Sequence, residues 1–195
     1  MTFRNELHYI TPIENIASIM ERGLLSNELA TLLNHRSVAM NEVQRRRDRV
    51  RVPNGLRLHQ YVNLYFDARN PMMYKIKEQV EDLCVLLIEP VVLELDQVVI
   101  ADRNASADYV RFIPSLEGIR SLDFDMVYCE DWRDGNQHAY FRKKSIKCAE
   151  VLVPNRISQE FISGAYVAST AAKARLESQG FSLTITLNPR MFFLE

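Results

Sequence analysis

Apolar positions along the chain change period several times, and each change marks an element. Residues 7–10 alternate as a short strand. Thr11-Pro12-Ile13-Glu14 then supplies a helix cap, a proline at the first helical position and a glutamate three residues after the cap. Ile13, Ile16, Ala17 and Met20 recur at helical spacing and Gly23 follows Arg22 as a stop, which predicts a helix over 12–22. A second helix is predicted over 38–50, where Val38, Ala39 and Val43 share a face before Pro53-Asn54-Gly55 makes a turn.

Runs rich in Val, Leu and Ile over 83–89, 91–95 and 98–101 read as sheet strands, with Pro90 at a bulge or an edge. Further strands are predicted over 126–129, 147–153, 164–168, 182–187 and 191–194, with a helix over 169–178 closed by Gly180. Residues 131–146 form the longest loop-like stretch. Helices early and strands later indicate an α+β domain with antiparallel strands rather than a βαβ alternation. The chain has no GxGxxG or GxxxxGK[ST] loop, which argues against a Rossmann or P-loop nucleotide site.

At 195 residues and 47% apolar content the chain is expected to form one domain, residues 1–195, around one core. Its 24 basic and 25 acidic side chains leave a net charge of -1, so any polyanion must be met by a local patch rather than by an overall field. The N-terminus lacks a charged-then-apolar signal pattern and no apolar run is long enough for a bilayer, so a cytoplasmic protein with no membrane partner is expected. Cys84, Cys129 and Cys148 are far apart and set in apolar stretches. They read as reduced packing residues, and no Cys/His cluster suggests a metal.

Glu150 is a carboxylate inside an apolar strand pattern. Either its face is solvated, or it lines a cleft where a cationic partner compensates it. Residues 45–51 carry five arginines, whose planar forks suit a nucleotide diphosphate or a nucleic-acid backbone and equally suit a solvated helix face. His8 fits a satisfied core histidine as well as a ligand. Tyr61, Tyr65, Phe66 and Tyr74 could stack a base or nicotinamide, or simply pack.

Taken in order, His8-Tyr9-Ile10-Thr11, Gly23-Leu24-Leu25, Gln44 to Arg49, Leu58-His59-Gln60-Tyr61-Val62, Tyr65-Phe66, Arg69-Asn70-Pro71-Met72-Met73-Tyr74 and Ala149-Glu150 resemble the DarT family of DNA ADP-ribosyltransferase toxins. The resemblance implies an ADP-ribosyltransferase-like fold, two splayed antiparallel β-sheets around an NAD cleft with flanking helices. It implies Glu150 and Arg47 as catalytic residues, with the arginine register open between Arg46 and Arg47. It further implies an NAD site including His8, Thr11, Gly23, Leu24, Tyr65, Arg69 and Tyr74.

The same resemblance places a substrate loop at 131–146, where Trp132 and Tyr140 would stack unpaired bases and Arg142, Lys143 and Lys144 would meet phosphates. NAD is then a substrate and no metal is needed. The acceptor is thymine or guanine of single-stranded DNA, and an ADP-ribosyl hydrolase antitoxin, a macrodomain or another type, is the expected partner. Two other readings stand beside it: an RNA-directed transferase on the same fold, and a non-catalytic nucleic-acid-binding module in which Glu150 is incidental.

Overall fold

A computed structural model describes residues 1–38 and 41–194. Its strands are β1 (Leu7–Pro12), β2 (Leu24–Leu25), β3 (Tyr61–Tyr65), β4 (Leu83–Ile88), β5 (Val99–Ala101), β6 (Phe112–Pro114), β7 (Glu150–Pro154), β8 (Arg156–Ile157), β9 (Ile162–Val167) and β10 (Thr184–Leu187). The helices are α1 (Ile16–Arg22), α2 (Asn27–Ala30), α3 (Asn41–Arg47), α4 (Pro71–Lys75), α5 (Ser115–Ser121), α6 (Phe124–Val127), α7 (Gln137–Ile146) and α8 (Thr170–Ser178).

Eight strands form one sheet in the order β10-β9-β4-β1-β3-β7-β5-β6, and β2 pairs with β8 separately. Where the resemblance implied two splayed sheets, the strands form one sheet whose two four-stranded halves are joined between β1 and β3 by a single register pair, His8 opposite Tyr65. All pairings in the large sheet are antiparallel except that of β9 with β10. The sheet is covered on both sides, which explains why the central β4, Leu83-Cys84-Val85-Leu86-Leu87-Ile88, is apolar throughout.

Side-chain alternation sorts the core onto the two faces. On one face Val62, Leu64, Leu86 and Val151 join a large cluster with Ile16 and Ile19 of α1, Phe124 and Val127 of α6, and Ala172 and Leu176 of α8. The other face carries two smaller clusters. Ile10, Tyr65 and Val85 meet Met73, Val80 and Phe192 in one. Tyr61, Ala101 and Leu152 meet Val52, Leu58 and Ala105 in the other.

Several expected elements differ. The strand expected over 91–95 is instead mostly a 3-10 turn, Pro90–Glu94, because Pro90 occupies the first helical position instead of a bulge. The stretch 126–129 is the end of helix α6, started by Asp123, whose carboxylate accepts from the Met126 N–H at 3.2 Å. Asn188 caps a 3-10 turn, Pro189–Phe192, where a strand over 191–194 was expected. Asn136 caps α7, so most of the expected loop 131–146 is helix. Thr11 belongs to β1 rather than capping a helix over 12–22, and a 3-10 turn, Ile13–Asn15, precedes α1. The helix expected over 38–50 appears as α3, with Ala39 and Met40 outside the described residues.

Candidate active site

Past the single His8–Tyr65 pair, β1 and β3 separate. Tyr9 to Pro12 on one strand and Tyr61 to Asn63 on the other line a cleft of ≈ 1080 Å³. That volume lies just above the usual range of about 300–1,000 Å³ for small-molecule sites and suits an extended dinucleotide.

Glu150 opens β7 beside this gap, register-paired with Tyr65 on one side and Ala101 on the other. Its side chain is 0% exposed, so its charge requires close partners. Arg47 Nη1 donates to both carboxylate oxygens, at 3.2 and 3.0 Å, and the Ala105 N–H donates to Oε1 at 2.9 Å. Arg47 is the last residue of α3 and lines the cleft; Arg46 lines it too but is exposed and does not touch Glu150. Burial first, and then the adjacent Glu150 charge, push the Tyr65 phenol well above its ordinary value, which keeps it a neutral donor.

The loop that brings Ala105 to Glu150 is clamped by Asp102. Its carboxylate accepts from the Arg111 N–H and Nε at 2.9 Å each, and from Arg103 Nε at 3.1 Å. Burial alone would raise the Asp102 carboxyl, but these donors hold it below the usual range.

On the other side, Lys147 is 1% exposed and donates to Asp67 Oδ2 at 2.8 Å. Asp67 Oδ1 accepts from the Arg69 N–H, and Asn70 caps α4 by accepting from the N–H groups of Met72 and Met73. At the cleft mouth Tyr74, Trp132 and Phe193 meet edge to face, with centroids 5.1 to 6.0 Å apart.

Of the residues singled out in the sequence, Thr11, Arg47, Tyr65, Arg69, Tyr74, Trp132, Tyr140 and Lys144 line the cleft. His8 does not: it is buried, with Nε2 2.7 Å from Glu6 Oε1. Gly23 and Leu24 also lie elsewhere. Gly23 takes φ +80° to close α1, a Cβ there would sit 2.3 Å from the Ile157 carbonyl oxygen, and Leu24 is a core residue.

Trp132 is mostly buried in the aromatic trio rather than presented from a free loop. Arg142 lies outside the cleft lining, and Lys143 is tied to Asp134 at 2.7 Å. Asp102, Ala105, Asp67 and Phe193 escaped sequence reasoning. Lys147 had a visible signal, since a lysine between Ile146 and Cys148-Ala149 needs a buried partner. All three cysteines are free, Cys129 being only half-buried. Among the described residues no group of three or more His, Cys, Asp or Glu could hold a metal ion, and no helix is long and apolar enough to cross a membrane.

A family model described as "ssDNA thymidine ADP-ribosyltransferase, DarT" matches residues 8–193. A Thermus aquaticus DNA ADP-ribosyl transferase is 31% identical over 183 residues, which cover 88% of this chain and 79% of that one. A Thermosipho africanus fusion of a DNA ADP-ribosyl transferase with a DNA ADP-ribosyl glycohydrolase is 30% identical over 97% of this chain. The match spans about half, 50%, of that fusion protein. The T. africanus DarTG structure in complex with ADP-ribose superposes with a TM-score of 0.82 at 28% identity, covering 97% of this chain and 51% of that one. The Thermus sp. 2.9 DarT structure in complex with ADP-ribosylated ssDNA shares the fold, with a TM-score of 0.84 at 23% identity over 99% of both chains. With a matching family model over nearly its whole length and a buried arginine–glutamate pair beside a split sheet, this chain belongs to the DarT family.

Proposed function

We propose that this chain transfers ADP-ribose from NAD to a base of single-stranded DNA and releases nicotinamide, thymidine being the acceptor that the family description specifies. The observation that carries this reading is the buried pair of Glu150 and Arg47 at the cleft. Breaking the nicotinamide glycosidic bond develops positive charge on the ribose, and a fixed carboxylate in a water-poor site stabilises it.

The bond from the ribose carbon to nicotinamide breaks with its electron pair leaving on nicotinamide. A base nitrogen forms the new bond to the same carbon, and its proton passes to Glu150. In thymidine that nitrogen is the ring N3–H, which is free only when the base is unpaired; hence the single strand. Arg47 holds the carboxylate in place before substrate arrives. An incoming diphosphate competes for the same planar guanidinium and uncovers Glu150. Thr11, Tyr65, Arg69 and Tyr74 hold NAD, and Trp132, Tyr140 and Lys144 meet the acceptor base.

The 195 residues act as one ADP-ribosyltransferase unit in the cytoplasm, the toxin of a toxin–antitoxin pair. An ADP-ribosyl hydrolase, a macrodomain or another type, reverses the product; the fused glycohydrolase of the T. africanus relative supports that pairing. The test is intact-mass analysis of mixed-sequence single-stranded DNA after incubation with the protein and NAD. One added ADP-ribose, absent with Glu150→Ala, is the expected result, and fragmentation names the base. DNA that binds but gains no mass would overturn the assignment.

A further inference from the structure

The cations around the cleft differ in how they are neutralised. On the side of residues 131–146, Arg133 is held by Asp131 at 2.7 Å and Lys143 by Asp134 at 2.7 Å. Residues 45–57 carry six arginines and one acid, Asp48, in a chain whose net charge is -1. Asp48 is engaged by His59 at 2.8 Å. Arg47 is committed to Glu150, and among the described residues no salt bridge reaches Arg45, Arg46, Arg49, Arg51 or Arg57.

Two of these side chains, Arg51 and Arg57, share a side, and Arg49 is exposed nearby in the chain. Val52 is buried and Val50 packs against the same cluster, while Arg51 between them and Arg49 in the turn after α3 are both exposed. Arg51 forms an antiparallel bridge with Arg57, and both are exposed. Two like charges directly opposite one another are unfavourable in an isolated protein, and a polyanion relieves that cost. The row starts two residues beyond Arg47, so it leads away from the reacting carboxylate.

The cluster under this segment is also packed by the loop that carries Tyr109. Tyr109 is 90% exposed and holds a left-handed φ of 62°, in the loop whose Ala105 and Val110 pack on the same cluster as Val50 and Val52. A flat exposed ring and unneutralised guanidinium groups on two segments that pack against one cluster are the combination that grips a single strand, with bases stacked and phosphates paired.

We infer that the edge formed by Arg49, Arg51, Arg57 and Tyr109 is the track for the strand that flanks the target base, and that its ligand is single-stranded DNA. This rests on the proposed activity for its choice of ligand. The positively charged backbone grip therefore lies on the α3 side of the cleft, not at Lys143, which Asp134 holds.

The test measures anisotropy of a fluorescent single-stranded DNA 15-mer across a salt series with the full chain. Arg49→Ala/Arg51→Ala/Arg57→Ala should weaken binding and lower the slope of log affinity against log salt by about 2, from about 0.7 per lost phosphate contact. Tyr109→Ala should lower affinity about tenfold without changing that slope. A charge-matched control, Arg22→Ala/Arg120→Ala/Lys173→Ala, removes exposed cations from α1, α5 and α8, which pack on the opposite face of the sheet, and should bind like the unmodified protein. Circular dichroism melting of each variant confirms that it is folded.

An unchanged slope in the first triple, or an equal loss in the control, overturns the track, as does tighter binding of an RNA 15-mer of the same sequence. ADP-ribose transfer is read separately by mass. Absent transfer together with an altered slope overturns the proposed reaction and leaves the track standing, whereas intact transfer with an unaltered slope does the reverse.

Discussion

Arg47 and Glu150, 103 residues apart in the chain, are joined through both carboxylate oxygens, and only the arginine lines the cleft. The carboxylate lies behind it with no exposure. The two partners therefore differ in what their removal leaves behind.

Arg47→Ala strands a buried anion with one backbone N–H, and we expect a loss of about 3–5 kcal/mol in urea denaturation. Glu150→Gln keeps the shape and leaves a guanidinium that the cleft can hydrate, so its loss should be smaller, while transfer falls at least about 100-fold. Equal destabilisation by the two substitutions would show that the cleft does not hydrate Arg47.

Lys147 forms another buried ion pair, with Asp67 as its carboxylate partner. Lys147→Met should cost about 3–5 kcal/mol, because Asp67 keeps only the Arg69 N–H. Adding Asp67→Leu should recover part of that loss. A double-mutant cycle by denaturation gives the coupling, and strictly additive losses would mean that the pair does not act as a unit.

Asp102 has a depressed carboxyl, so its contribution to stability is present above the unfolded value of about 3.9 and is lost as pH falls through the lower folded value. Asp102→Asn should cost about 2 kcal/mol at neutral pH. The gap between mutant and unmodified protein should close below about pH 4. Melting curves across pH 2–8 test this, and a gap that persists at the acid end would remove the linkage. Because this clamp carries Ala105 to Glu150, transfer should weaken in parallel.

Gly23 separates a structural from a ligand role. Gly23→Ala should destabilise by more than about 1 kcal/mol, through its left-handed backbone and the close Ile157 carbonyl. NAD affinity of the folded protein, measured by calorimetry, should stay unchanged. A weakened affinity with unchanged melting would return Gly23 to the NAD site.

Several elements were legible because local chemistry and final environment agree. The apolar β4, the Gly23 and Gly180 stops and the α8 region carry patterns with one physical solution each. Short apolar runs misled, since the stretches after Pro90, Asp123 and Asn188 satisfy a strand pattern and a capped turn equally well, and the caps prevailed. The site was legible as residue types in order, Glu150 with an arginine near 47, and not as contacts.

By itself the sequence determined the mixed helix and strand content, the family resemblance and the presence of a carboxylate that could not be buried without a partner. Tertiary structure alone chose that partner, because α3 ends so that Arg47 rather than Arg46 meets the carboxylate. It also chose the loop N–H from Ala105, the pairing of Lys147 with Asp67 across 80 residues, and the separation of β1 from β3 that opens the cleft. Each of these is a contact between distant segments, and local periodicity carries no information about which distant groups the folded sheet will bring within hydrogen-bonding distance.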